Sequence, residues 1–119
     1  MKRLIAATRN SARALGFLAR NEKAIQQEFV LFALALPLGW WLAGDWRGYA
    51  LLLGSVLVLI LVEVLNTAIE AACNVVTREF RPEIQLAKDC GSLAVAIAIL
   101  IAAGVWLLAL AERLSLIGN

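Results

Sequence analysis

Apolar positions gather into three long blocks, separated by short polar breaks. The first is the uncharged run FVLFALALPLGWWLAG, Phe29 to Gly44. It is short for a spanning helix of about 20 residues. It lengthens by borrowing from Gln26 and Gln27 before it, and Pro37 is a place for a kink. GDWRG, Gly44 to Gly48, reads as a tight turn. The second block starts at Tyr49 and stays apolar to Val62, then continues with helical period to about Val76. TREFRPEIQLAKD, Thr77 to Asp89, reads as a charged loop broken by Pro82. Cys90 to Ala111 gives 22 uncharged residues, a clear span. The pattern predicts spans over 29–46, 49–76 (its last turns beyond the membrane) and 90–111, with a loop over 77–89 and a short tail, ERLSLIGN.

The first 27 residues differ. At about 100° per residue, Lys2, Arg9, Arg13 and Arg20 share one narrow sector, with Leu4, Thr8, Ser11, Leu15 and Leu18 roughly opposite. This predicts an amphipathic helix over 1–27 with a cationic stripe, suited to an anionic membrane surface. The same helix can also pack on its own protein. The charged region is too long for a secretory signal, and two further spans follow.

Composition sharpens this picture. Apolar residues make up 62% of 119, against roughly half in a soluble domain. The expected class is an all-α membrane protein of one domain: a surface helix and three transmembrane helices. There is no His, so acid–base work would fall to carboxylates, Lys, Tyr or Cys. Cys73 and Cys90 lack metal-type spacing and read as small packing residues.

Net charge is +2, and its placement matters more than its size. Lys2, Arg3, Arg9, Arg13, Arg20 and Lys23 precede the first span, and Arg78, Arg81 and Lys88 lie in the 77–89 loop. The opposite side has Arg47 and Arg113. The positive-inside rule places the N-terminus and that loop in the cytoplasm and the C-terminus outside. Trp40, Trp41, Trp46, Tyr49 and Trp106 then fall toward the outer interface. Ala94, Ala98 and Ala102, four residues apart, permit close helix approach in lipid. They fit a homo-oligomer or an ordinary alanine-rich helix equally.

The chemistry-bearing residues interrupt the second block. Glu63, Asn66 and Glu70 stand at i, i+3 and i+7 on one helix face, with Thr67 beside it and Asn74 extending it. The carboxylates lie about 10 Å apart along the axis. Glu22 and Glu28 occur where the surface helix meets the first span, at a depth similar to Glu70, and Lys88 and Asp89 close the loop. Carboxylates from separate helices can hold Mg²⁺, which keeps waters and substrate phosphates among its ligands. A deeper carboxylate can serve as base for a lipid hydroxyl. Ordinary cross-helix pairing with Arg, Lys and Asn is the alternative. Gly39 and Gly44 have P-loop spacing, but Asp45-Trp46 replaces Lys-Ser/Thr, so no soluble kinase signature is present.

VEVLNTAIEA, followed by AKDCGSLAVAIA, closely resembles the prokaryotic diacylglycerol kinase family, as does NEKAIQQE, Asn21 to Glu28. The likeness runs from about Arg3 to Ala111. It implies a homotrimer of three-span subunits in the bacterial inner membrane, with active sites between subunits at the cytoplasmic interface. It implies transfer of the γ-phosphate of ATP, with Mg²⁺, to diacylglycerol, and no nucleic-acid partner. By the same resemblance Glu63 is the general base and Asn66 its polar neighbour. Glu22 and Glu70 are metal ligands bridging to ATP. Arg3, Glu79, Phe80, Arg81, Lys88 and Asp89 contact nucleotide, with Asn10 near it. Arg3, Glu28, Glu63 and Ser92 lie on the lipid-substrate side. The chain departs from the family pattern at Asn74, where Asp is common, at Asn10, where some members have an aromatic residue, and at Phe80-Arg81, where Tyr and His are frequent.

Two other functions fit parts of the pattern. An undecaprenol kinase would use the same chemistry, but Gly91-Ser92 after AKD looks more like the Gram-negative diacylglycerol kinases. A small proton-coupled transporter would use an intramembrane Glu, yet would leave the AKD loop and the basic lead helix without a role. A non-enzymatic assembly subunit is a third class.

Overall fold

The computed structural model describes residues 1–115. Four helices follow in order: α1 (Lys2–Asn21), α2 (Lys23–Leu42), α3 (Trp46–Val76) and α4 (Pro82–Arg113). The last residues of the predicted tail, 116–119, lie outside the described part.

The surface helix ends earlier than its polarity predicts. Glu22 is extended (φ −109°, ψ 111°) and serves as the C-cap of α1 and the N-cap of α2. Its N–H donates to Leu18 O at 2.9 Å, and its carbonyl accepts from Gln26 N at 3.0 Å. The two helices are therefore joined through a single non-helical residue. Gln26 Nε2 straps them by donating to Ala19 O at 3.0 Å. The first span thus takes in Lys23 to Gln27 and stops at Leu42, with Pro37 inside it.

The turn between α2 and α3 is built by Asp45, whose side chain accepts from Gly48 N at 2.7 Å and caps α3. The loop between α3 and α4 is shorter than predicted. Pro82 occupies the first turn of α4, where its missing N–H costs nothing, and Glu83 favours the same turn through the helix dipole. Residues 82–89 are therefore helical, and the loop shrinks to 77–81.

Three helices, α2, α3 and α4, are long and apolar enough to cross a membrane. At 31 and 32 residues, α3 and α4 reach about 46–48 Å, well past a hydrocarbon core of about 30 Å. The excess accommodates the polar end. α3 packs against both α2 and α4, while α1 packs on α2 but not on α3 or α4. Ile25, Ala35, Leu52, Val56, Leu59, Ala98 and Ala102 form the interior. Ala98 and Ala102 are thus used within the chain, whereas Ala94 is exposed.

Aromatic residues lock the other end. Trp40, Trp46 and Tyr49 cluster, with ring centroids 4.7–6.1 Å apart. Tyr49 Oη donates to Leu36 O at 2.8 Å, and the Arg113 guanidinium stands 4.7 Å over the Trp41 ring. Trp106 points into the bundle: its Nε1–H is shared between Leu52 O at 3.2 Å and Ser55 Oγ at 3.1 Å. This is a direct polar tie between α4 and α3. Trp106→Phe keeps most of the packing but removes the donor. Stability should fall by about 1 kcal/mol, read as a lower unfolding midpoint in detergent; an unchanged midpoint would show that the tie contributes nothing.

Candidate functional site

Every chemistry-bearing group singled out on α3, from Glu63 to Asn74, lies in its last four turns. From Tyr49 at the aromatic end, about 20 residues of rise reach the far edge of the hydrocarbon near Ala68. Glu63 lies inside that edge and is half-buried; Glu70 lies beyond it and is exposed. Thr67 Oγ1 donates to Glu63 O at 3.1 Å, so its hydroxyl is satisfied locally.

Asn66 is the buried member, 8% exposed. Its Nδ2 donates to Glu70 Oε1 at 3.2 Å, one turn along. Its Oδ1 is buried with no hydrogen-bond partner and rests against the α4 backbone at Gly91, where a methyl group would collide with it. Glycine is thus required for the close approach of α4 to this amide. A single glycine inside an apolar helical pattern was the available signal; its partner was not readable.

Glu28 is the second buried polar group, also 8% exposed, and its Oε1 lacks a partner. It lies within electrostatic range of Glu63, which in turn lies within range of Glu70 and Glu22. Three carboxylates, Glu22, Glu28 and Glu70, therefore gather around Glu63, making a cluster of four from two helices and the α1–α2 corner. No basic side chain is paired to them: among the described residues the only ion pair is the exposed Arg81–Glu79 at 3.8 Å. Such a pair is worth little. Glu22 stands at the N-terminus of α2, where the helix dipole favours negative charge.

Among the described residues, no three carboxylate or thiol groups converge tightly enough to hold a metal by themselves. That fits Mg²⁺, which takes one or two carboxylates and fills its octahedron with water and phosphate oxygens. It does not fit an ion needing a full protein cage. Glu22 is half-buried and Glu70 exposed, and each lies within electrostatic range of Glu63.

A cavity lies further along the same end of the bundle, at the 77–81 loop. Glu79, Phe80, Arg81 and Lys88, all singled out in the sequence, line one cavity of about 230 Å³. Thr77, Arg78, Ile84 and Gln85 complete it and were not anticipated. Thr77 Oγ1 accepts from Glu79 N at 3.0 Å and shapes the turn. Asp89 accepts from Gln85 Nε2 at 2.8 Å, and Lys88 Nζ donates to Asn74 Oδ1 at 3.1 Å. Arg3 and Asn10 are not brought to this place. They are exposed on α1, about 28 Å and 18 Å from Glu22 along the helix axis. Ser92 is exposed on α4, next to Gly91.

A basic amphipathic helix, three membrane-capable helices and a carboxylate cluster at one end of the bundle define a small multi-pass membrane protein with a polar site at its rim. A profile of the family described as "Prokaryotic diacylglycerol kinase" matches residues 9–110. The chain is 42% identical over 86 residues to a protein of Escherichia coli strain K12 named diacylglycerol kinase, covering 72% of this chain and 70% of that one. A Pseudomonas aeruginosa protein of the same name is 35% identical over 108 residues (89% and 86% covered). One from Haemophilus influenzae is 33% identical over 103 residues (87% of each). The chain belongs to the prokaryotic diacylglycerol kinase family. It is thus a lipid kinase, and its apolar helices and bacterial relatives make it a multi-pass inner-membrane protein.

The Gly91–Asn66 contact makes a direct prediction. Gly91→Ala should cost about 1–3 kcal/mol through overpacking. Adding Asn66→Ala should recover part of that loss, because the two residues share one space. Strict additivity of the two costs in thermal unfolding would show that they do not compete.

Proposed function

We propose that the chain is a single domain that transfers the γ-phosphate of ATP to the free hydroxyl of diacylglycerol, giving phosphatidic acid. The observation that carries this reading is the cluster around Glu63: four carboxylates without a paired cation, at the same end of the bundle as a cavity lined by Lys88 and Arg81. Uncompensated negative charge calls for a metal or a proton. The basic cavity calls for an anion. A magnesium nucleotide supplies both.

The roles follow from depth and burial. Glu63, inside the hydrocarbon edge and half-buried, orients the lipid hydroxyl and accepts its proton. Asn66 holds Glu70 in place through its amide. Glu22 and Glu70 would hold Mg²⁺, which would supply neutralisation of the phosphate charge. Lys88, Arg81 and Glu79 border the nucleotide cavity with Phe80, and Asp89 is fixed near it by Gln85. Glu28 and Ser92 face the lipid substrate. Positioning and charge neutralisation supply most of the rate, since little covalent work is asked of the protein.

The reading extends to topology and assembly. The carboxylate end is cytoplasmic and the aromatic end periplasmic, the orientation that the positive-inside rule favours. Subunits associate as a homotrimer. Two features support this: the cavity is smaller than the roughly 300–1,000 Å³ usual for a ligand site, and Arg3 and Asn10 stand away from their own chain's cluster. Both are accounted for if sites form between subunits.

Phosphate transfer from labelled ATP, measured in detergent with diacylglycerol, with undecaprenol and without lipid, tests the substrate class; preference for undecaprenol would overturn the assignment. Glu63→Gln should lower kcat by about 100-fold or more with little change in KM for ATP. Near wild-type turnover would remove Glu63 from the role of base. Glu22→Gln should instead move the Mg²⁺ dependence to higher concentration, and an unshifted titration counts against Glu22 as ligand.

A further inference from the structure

Asn74 ends the polar face of α3 and has no role in the scheme above. It faces Lys88 across the α3–α4 loop, and its Oδ1 accepts from Lys88 Nζ at 3.1 Å. Both side chains are half-buried. Among the described residues no carboxylate forms an ion pair with this ammonium; Asp89 is bonded to Gln85, Glu70 to Asn66, and Glu79 lies by Arg81. Lys88 also lines the cavity at the 77–81 loop.

The choice of acceptor has an electrostatic consequence. A lysine side chain is long and flexible, and its ammonium is a compact point charge. Tying it to a carboxylate would fix its position but cancel most of its field. Tying it to an amide fixes the position and leaves the full charge. We propose that Asn74 is a positioning residue that holds the Lys88 ammonium at the cavity undischarged, for use by a nucleotide phosphate. The inference rests on the proposed nucleotide role of Lys88. It identifies the neutral side chain at position 74 as a determinant of nucleotide affinity in this chain.

The full-length protein in detergent, with diacylglycerol and Mg-ATP, tests this through the separate values of kcat and KM. Asn74→Asp should raise KM for ATP about tenfold, the size of one charge-assisted hydrogen bond lost, with kcat and KM for diacylglycerol within about twofold. Asn74→Ala frees the ammonium without cancelling it and should raise KM for ATP by about threefold. A general structural fault would instead lower kcat and disturb both substrates together, and that result in both variants would overturn the proposal. So would an unchanged KM for ATP in both. If Asn74→Asp does not fold, the Asn74→Ala value alone decides. Lys88→Gln separates the two levels of the argument. If it raises KM for ATP while the Asn74 variants do not, the positioning role fails and the nucleotide site stands. If it leaves KM for ATP unchanged, the nucleotide role of Lys88 fails, and the positioning role with it.

Discussion

A buried amide and a group of like-charged carboxylates must be accommodated at the rim of an otherwise apolar bundle, and the approach of the Gly91 backbone to Asn66 makes this possible. With any side chain at position 91, α4 would stand off from α3 at that level. Asn66 could not then lie buried with its amide directed at Glu70. The carboxylate end depends on one missing methyl group. Further along, the two helices are tied by Trp106 to Ser55 and Leu52, and at the cytoplasmic-loop end by Lys88 to Asn74, so the α3–α4 seam is polar at three levels.

The length of α3 and α4 solves a solvation problem. Lipid offers no partner for ionised groups, and intramembrane carboxylates are costly. Helices exceeding the hydrocarbon thickness carry most of their polar face past its edge. Glu63 alone of the α3 carboxylates remains within it, where keeping an ionised group is costly. Glu28, buried with a free oxygen, shares that environment from α2.

Much of this was legible in the chain. Three apolar blocks, the basic stripe and the i, i+3, i+7 spacing of Glu63, Asn66 and Glu70 are one-dimensional patterns, and each maps onto its element. What escaped is pairwise. The run from Thr77 to Asp89 looked like loop because it is charged, but Pro82 is a helix starter as well as a breaker, and the helix begins there. The surface helix seemed to continue to residue 27, since nothing in its polarity marks the corner at Glu22. Asn66 with Gly91 and Asn74 with Lys88 are contacts across helices, and helical period within one segment carries no record of them. Arg3 and Asn10 show the reverse case: the family resemblance assigns them to the nucleotide, while one folded chain keeps them far from it.

The corner at Glu22 couples two surfaces that otherwise share little. α1 lies outside the bundle, touching only α2, and the backbone between them has a single residue with non-helical φ and ψ. A change in the angle between α1 and α2 would turn on the φ and ψ of that one residue, against the Gln26–Ala19 strap. Its carboxylate is carried by the same Cα. The angle between α1 and α2 and the placement of one carboxylate in the cluster thus share a single backbone residue.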